Sequence, residues 1–126
     1  MKLRIKGNSI RLRLLRSEVE RFAADGSISD EIRFGPNGLR YTVVMSPEAE
    51  SILAQFDNGE ITISVPETAA RRWASSDEVG FETQQEIGPD QSLAIIVEKD
   101  FECIDRPDDP DRADAFPNPG SECGSI

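Results

Sequence analysis

Residues 2–14 read KLRIKGNSIRLRL and alternate apolar with basic side chains on both sides of a short central segment. Successive side chains of a strand point to opposite faces, so the apolar ones are predicted to share one face. These are Leu3, Ile5, Ile10, Leu12 and Leu14. Gly7-Asn8-Ser9 predicts a turn, because Gly and Asn adopt positive φ at little cost. The stretch therefore predicts a β-hairpin, named the first hairpin below.

The second face of the first hairpin is basic. Its members are Lys2, Arg4, Lys6, Arg11 and Arg13. Lys and Arg neutralise phosphates, and a two-stranded ribbon fits a DNA major groove about 12 Å wide. This set, named the basic face, is a candidate anion-binding surface. The alternative is a solvated edge whose like charges prevent association between strands.

The segment that follows predicts a helix and another hairpin. Ser17 and Glu20 have the spacing of a capping box, and Gly26 stands where the helix should end. Val19, Phe22 and Ala23 form an apolar stripe that can pack on the first hairpin. Two strands, 28–34 and 39–45, are then predicted on either side of the turn sequence GPNG.

After a polar segment at 46–50 the same order of elements returns. Strands are predicted at 51–56 and 61–65 around the turn signal Asn58-Gly59, a helix at 66–75, and strands at 79–84 and 92–101. At an offset of 51 the apolar positions coincide, and Phe22 meets Trp73 as a second aromatic of the core. We interpret the chain as a duplicated β-β-α-β-β unit. The alternative is the partial agreement that any α+β chain can show with itself.

Composition bounds the class of protein. A chain of 126 residues with 37% apolar residues suits one domain that needs no disulfide or metal to fold. A net charge of −10 and a pI near 4.4 disfavour nonspecific binding to nucleic acid or anionic membranes. The charge is uneven, however, since residues 1–45 carry nine Lys or Arg against five Asp or Glu. The basic residues are therefore concentrated in the first unit.

Several kinds of site are disfavoured. The chain has no histidine, which excludes Ser-His and Cys-His catalysis and His-bound metals. Two cysteines, Cys103 and Cys123, with no export leader, predict reduced thiols in the cytoplasm, although pairing stays open. No apolar run approaches the roughly 20 residues of a membrane span. The aspartates at 105–114 lack the order of a calcium loop, and no pattern indicates a metal, a cofactor or catalytic residues.

The first unit resembles a known group of proteins. Lys6-Gly7-Asn8-Ser9, the alternating strand at 10–14 and Arg16-Ser17-Glu18-Val19 are similar to the start of the swapped-hairpin β-barrel DNA binders, the MazE antitoxins and AbrB-type regulators. The resemblance implies one barrel built from two interlocked units, here a pseudo-dimer within one chain. It also implies that the first hairpin faces DNA, through Lys2, Arg4, Lys6, Asn8, Arg11 and Arg13.

Two differences from that group concern DNA binding. Leu15 stands where the group has proline, and Asp57 and Glu60 flank the equivalent turn of the second unit. A reader of a symmetric operator needs two positive hairpins. The whole chain is also similar to an uncharacterised bacterial family of unknown function, through Lys99-Asp100-Phe101-Glu102-Cys103 and residues 114–119.

The C-terminal segment 104–126 is acidic and rich in proline, with too few apolar residues for a core. A flexible tail of this kind can cover the basic face, or engage a basic groove of a protein partner. It can also act only as a solubilising segment.

The sequence thus predicts an α+β protein with a duplicated β-β-α-β-β barrel at 1–103, unit one at 1–46 and unit two at 50–101, followed by the acidic tail. The expected function is non-enzymatic binding or regulation, with the basic first hairpin contacting DNA or an acidic protein segment. The alternative is a structural or protein-interaction module that has lost DNA binding.

Overall fold

A computed structural model describes residues 1–101, 114 and 116 of the chain. The elements form two successive sets of β-β-α-β-β, as the repeat predicts. The first set is β1 (Lys2–Ile5), β2 (Ser9–Leu14), α1 (Arg16–Asp25), β3 (Ser27–Arg33) and β4 (Gly38–Ser46). The second set is β5 (Leu53–Asp57), β6 (Glu60–Pro66), α2 (Glu67–Ala74), β7 (Gly80–Gly88) and β8 (Gln91–Lys99). The predicted α+β class and the repeated unit are confirmed.

The eight strands form two mixed sheets of four. The first sheet has the order β1-β2-β8-β7 and the second has the order β3-β4-β6-β5. Each sheet consists of two antiparallel hairpins joined by one central parallel pair, β2 with β8 or β4 with β6. One hairpin of each pair comes from each unit. The two units therefore exchange hairpins, and neither unit holds a complete sheet by itself.

The residues paired in the two central parallel ladders show by how many positions the two units are offset in sequence. Leu12 of β2 lies opposite Val97 of β8, while Ile63 of β6 lies opposite Val43 of β4. Leu12 and Ile63 are 51 positions apart, as the sequence match predicts, whereas Val43 and Val97 are 54 apart. The offset grows because a longer connection joins α2 to β7 than joins α1 to β3.

One shared core lies between the two sheets and beneath the helices. Phe22 of α1 and Trp73 of α2 are fully buried, and their ring centroids lie 6.2 Å apart in an edge-to-face arrangement. Trp73 also packs on Phe81 at 5.3 Å and donates its indole N–H to the Val79 carbonyl over 2.9 Å. The prediction that these two aromatics form core contacts is confirmed, and they fix α1 against α2.

The prediction of one closed barrel is not borne out in the described part of the chain, where two separate sheets are observed instead. Side chains rather than a backbone ladder link the facing sheet edges. The Gln85 amide of β7 accepts from the Ala54 N–H of β5 at 2.7 Å and donates to the Ala54 carbonyl at 3.1 Å. On the opposite side, Tyr41 of the inner strand β4 donates to the carbonyl of Met1, which precedes the edge strand β1, at 3.3 Å.

The predicted start of α1 is wrong by about half a turn. The helix begins after Leu15, whose backbone N–H donates to Glu18 Oε1 at 2.8 Å, so Glu18 rather than Glu20 supplies the capping carboxylate. Ser17 lies inside the helix. The predicted end is confirmed, because Gly26 adopts φ of 81° and donates its N–H to the Phe22 carbonyl.

Both helices cover the same end of the two sheets. Each follows the last residue of an inner strand, β2 or β6, while the hairpin turns precede the inner strands. All four turns therefore lie at the other end, named the turn end, at residues 6–8, 34–37, 58–59 and 89–90. Neither helix of the described chain is long and apolar enough to cross a membrane.

Candidate anion-binding face

The basic face follows directly from the pairing of β1 with β2. Lys2 lies opposite Arg13 and Arg4 lies opposite Arg11, so four basic residues form two cross-strand rows on the outer side. Leu3 and Ile5, on the alternate positions, lie opposite Leu12 and Ile10 on the core side. Like charges directly opposite each other destabilise a hairpin by a few tenths of a kcal/mol or more. An acidic neighbour or an anionic ligand relieves that repulsion.

The neighbouring strand β8 supplies such an acidic residue. Glu98 lies opposite Arg13 in the parallel pair, and its Oε1 accepts from Arg11 Nη1 at 2.7 Å and from Arg13 Nε at 2.9 Å. All three side chains are partly buried. One carboxylate therefore serves two guanidiniums and leaves one positive charge in excess. Each guanidinium carries five N–H donors, so several can still be directed at a ligand.

The other predicted site residues divide between the two ends of the hairpin. Lys2 Nζ lies 2.9 Å from Oδ2 of the buried Asp100. The two groups form an ion pair whose geometry is not that of a hydrogen bond. Asn8 lies in the turn, where its Nδ2 donates to the Ser92 carbonyl at 2.6 Å and ties the first hairpin to β8. Lys6 closes the same turn through its backbone and is exposed. Arg4, also exposed, shares the outer face with Arg11.

The first sheet is polarised across its outer face. Glu82 and Gln84 of β7 lie opposite Ile96 and Ala94 of β8, so they share the outer side with Glu98. Positive charge lies on β1 and β2, and negative charge lies on β7 and β8. An elongated anion would therefore be attracted to one half of this face only.

The equivalent hairpin of the second unit has no such charge. At the positions 51 residues after Arg11 and Arg13 stand Thr62 and Ser64, and Gln55 takes the place of Arg4. The outer face there is rich in hydroxyls, with Ser29 Oγ 2.8 Å from Thr42 Oγ1, which donates to Glu60 Oε2 at 2.7 Å. The two faces of the pseudo-symmetric molecule therefore present different chemistry.

Two residues of the C-terminal segment lie at the helix end of the molecule. The Asp114 carboxylate accepts from the Ser17 N–H at 3.1 Å and from the Ser17 hydroxyl at 2.5 Å, and these bonds lower the pKa of Asp114. Phe116 donates its backbone N–H to the Asp100 carbonyl at 2.8 Å. The other predicted tail residues and both cysteines lie outside the described residues, so the predicted tail contacts remain predictions.

A buried lysine lies beneath Phe116. Lys99 donates to the Ser76 carbonyl at 2.6 Å, and its ammonium lies 5.2 Å from the Phe116 ring centroid and 6.0 Å from that of Trp73. Burial lowers the pKa of Lys99, while the nearby Asp77 and Glu78 oppose that shift. The lysine binds a carbonyl just beyond the C-terminus of α2, which is a structural role.

The acidic partners of the basic face were not recognised from the sequence. Glu98 does fall on an outer position of an alternating strand, but nothing local indicates that β8 lies beside β2. That pairing joins residues 85 positions apart. The cross-strand rows of the basic face were predictable, because a tight turn determines them.

Comparison with known proteins supplies a family without an activity. No curated protein and no solved structure matches the chain. A family model described as a family of unknown function, DUF7009, matches residues 1–120. The match covers both units and the described C-terminal contacts, so the chain belongs to the DUF7009 family.

Proposed function

We propose that this protein is a non-enzymatic binding module that contacts an anionic partner through the outer face of its first hairpin. The observation that carries the proposal is the pair of cross-strand rows, Lys2 with Arg13 and Arg4 with Arg11, on a two-stranded ribbon. Such a ribbon presents a dense line of positive charge to a polyanion. The partner is duplex DNA or an acidic protein segment.

The hairpin exchange between units supports the resemblance to the swapped-hairpin DNA binders. In that group two units interlock by exchanging hairpins, and here β1-β2 pairs with β7-β8 while β3-β4 pairs with β5-β6. We infer a fused pseudo-dimer of that kind, in which one of the two equivalent hairpins kept the basic residues. Contact would be one-sided rather than with both halves of a symmetric operator.

Binding is tested with a labelled DNA duplex and, separately, with an acidic peptide, each titrated at several salt concentrations. The apparent affinity for DNA should fall with salt with a slope of about 0.9 per phosphate contacted. Arg11→Ala/Arg13→Ala should reduce that slope by about two contacts. No DNA binding up to tens of micromolar protein at low salt would exclude DNA as the partner. If the acidic peptide also failed to bind under these conditions, the proposal itself would be excluded.

Two further variants serve as controls. Removing both arginines leaves the Glu98 carboxylate without these two partners, and that charge would itself repel an anion. The triple variant Arg11→Ala/Arg13→Ala/Glu98→Gln removes this repulsion, so it measures only the loss of the contacts that the two arginines make with the anion. Thr62→Ala/Ser64→Ala alters the pseudo-equivalent positions of β6 and should leave the salt dependence unchanged.

The second candidate is an interaction module without DNA binding. It is favoured by the ion pairs that Glu98 makes with Arg11 and Arg13, because a polyanion must compete with a carboxylate already bound there. Under this alternative, Glu98→Gln lowers stability through unpaired arginines and creates no affinity for DNA. Under the leading proposal, the same substitution raises the affinity for DNA.

A further inference from the structure

Large apolar side chains are exposed at the turn end of the molecule. Phe34 and Phe56 are each 70% exposed, and Ile5 is 61% exposed. Ile32 and Ile87 are each 49% exposed. They come from the outer strands or turns of all four hairpins, so they cluster at the end that carries the turns. Several large apolar side chains exposed at one end of a small protein indicate an interaction site.

These side chains are not ordinary solvent-facing positions. Ile5, Ile32 and Phe56 lie opposite Ile10, Leu39 and Ile61 on the core side of their hairpins. They are uncovered because α1 and α2 cover only the other end of the sheets. The core side of the fold is therefore open at the turn end.

The charges around this opening are divided between the two units. Unit one contributes the exposed Lys6 and Arg33, and unit two contributes the exposed Asp57, Glu86 and Asp90. Glu31, 3.6 Å from Arg33, only partly offsets the positive side. The opening thus carries exposed apolar side chains together with one basic side and one acidic side.

We propose that the turn end binds a second copy of this chain in a two-fold dimer. A two-fold axis applies the same patch to itself, and an axis that runs along the boundary between the units brings the unit-one side of each copy against the unit-two side of the other. Basic then faces acidic twice, around exposed apolar side chains that include Phe34 beside β3 and Phe56 on β5. At physiological salt the Debye length of about 8 Å screens most repulsion between the distant acidic surfaces. Of the basic face, the dimer uses only Lys6, and it leaves the rows Lys2 with Arg13 and Arg4 with Arg11 open for the proposed anion contact.

Sedimentation velocity of the full chain over a concentration series tests the dimer. The wild type is expected to form a dimer, and Phe56→Ser should raise the dissociation constant about tenfold or more, since one of the most exposed aromatic side chains of the patch is lost. The control is Leu53→Ser, which removes an exposed side chain from the same strand at the helix end and on the opposite face. Circular dichroism confirms that each variant is folded.

Charge reversal tests whether the basic side of one copy contacts the acidic side of the other. Lys6→Glu/Arg33→Glu places acidic against acidic, and Asp57→Lys/Asp90→Lys places basic against basic, so each variant alone should be monomeric. An equimolar mixture should form a heterodimer, because both contacts are then attractive.

Three results would overturn the proposal. The first is a wild type that stays monomeric up to about 100 μM. At that concentration a Kd of about 1 μM would give mostly dimer. A dimer that Phe56→Ser leaves unchanged is the second. Charge-reversed variants that fail to associate when mixed, while the wild type dimerises, are the third.

Discussion

Asp114 stabilises the first turn of α1 from outside the helix. Its carboxylate accepts two hydrogen bonds from Ser17, at the end of a helix where N–H groups lack partners and negative charge is favoured. These bonds lower the pKa of Asp114 below its ordinary value of 3.8. A carboxyl whose folded pKa is lowered contributes stability above its unfolded pKa and loses it as the pH falls through the folded pKa.

We therefore expect Asp114→Ala to lower the free energy of unfolding at pH 7 by about 1 kcal/mol or less. This is the low end for a lost helix cap, because the site is open to solvent. Urea unfolding followed by circular dichroism measures the difference, which should shrink below pH 4 as wild-type Asp114 is protonated. Asp25→Asn, at the other end of α1, is compared with it, because that substitution removes an aspartate of the same helix and leaves both bonds from Ser17 to Asp114 in place. A difference that persists undiminished at pH 2.5 would contradict the role of the charge.

Single residues also show how far the sequence predicts burial. Ile5 and Phe56 match each other at an offset of 51 and fall on the core side, as predicted, yet both are mostly exposed. Alternation determines which face a side chain occupies but not whether another element covers it. That depends on the position of α1 and α2, which only the assembled fold reveals.

At the scale of elements, β7 depends on a glycine at its first residue. A Cβ on Gly80 would lie 2.2 Å from the Val97 carbonyl oxygen and 2.7 Å from Glu98 Cα, both backbone atoms of β8. Such a contact requires β7 and β8 to separate, which also disturbs Glu98 beside the basic face. Gly88, at the other end of the same strand, would bring a Cβ no closer than 3.5 Å to a flexible side chain.

Gly80→Ala is expected to destabilise the protein by about 2–3 kcal/mol, the upper part of the range for overpacking, because backbone must move. Gly88→Ala should change stability by less than about 1 kcal/mol. Urea midpoints of the two variants, compared with the wild type, provide the measurement. Equal effects of the two substitutions would show that β7 and β8 tolerate the added methyl group.

Most elements were predictable because they depend on local signals. Turn residues marked the hairpins, and Asn58 and Gly59 indeed both adopt positive φ. The start of α1 was predicted wrongly because Ser17 and Glu20 have the same spacing as Leu15 and Glu18, and spacing does not determine which pair caps the helix. The link from Gln85 to Ala54 was not predictable, because one glutamine in a strand does not indicate what it faces.

At the scale of the whole molecule, the net charge of −10 opposes the proposed anion contact. Part of that charge is in the C-terminal segment, which also contains the anchoring residues Asp114 and Phe116. Deleting the whole segment would therefore combine lost charge with lost packing. Substitution of the aspartates before Asp114 separates the two effects.

We expect the four substitutions Asp→Asn at 105, 108, 109 and 111 to increase the affinity for duplex DNA. A control variant neutralises Glu20, Glu48, Glu50 and Asp77, which changes the net charge equally. If the tail covers the basic face, the tail variant should bind about tenfold tighter than the control at low salt, with the gap closing as salt rises. Equal affinities would mean that only total charge matters.

The exchange of hairpins between the units also has a consequence for folding kinetics and for dividing the chain. The pairing of β2 with β8 joins the ends of the fold, so much of the first sheet forms only after a large loop has closed, which slows folding. Residues 1–46 alone contain two hairpins, each without its partner hairpin, and should not fold independently. Separated at the connection between Ser46 and Leu53, the two fragments should stay unstructured alone and reconstitute the native fold when mixed, which makes this chain a candidate for a split-protein reporter.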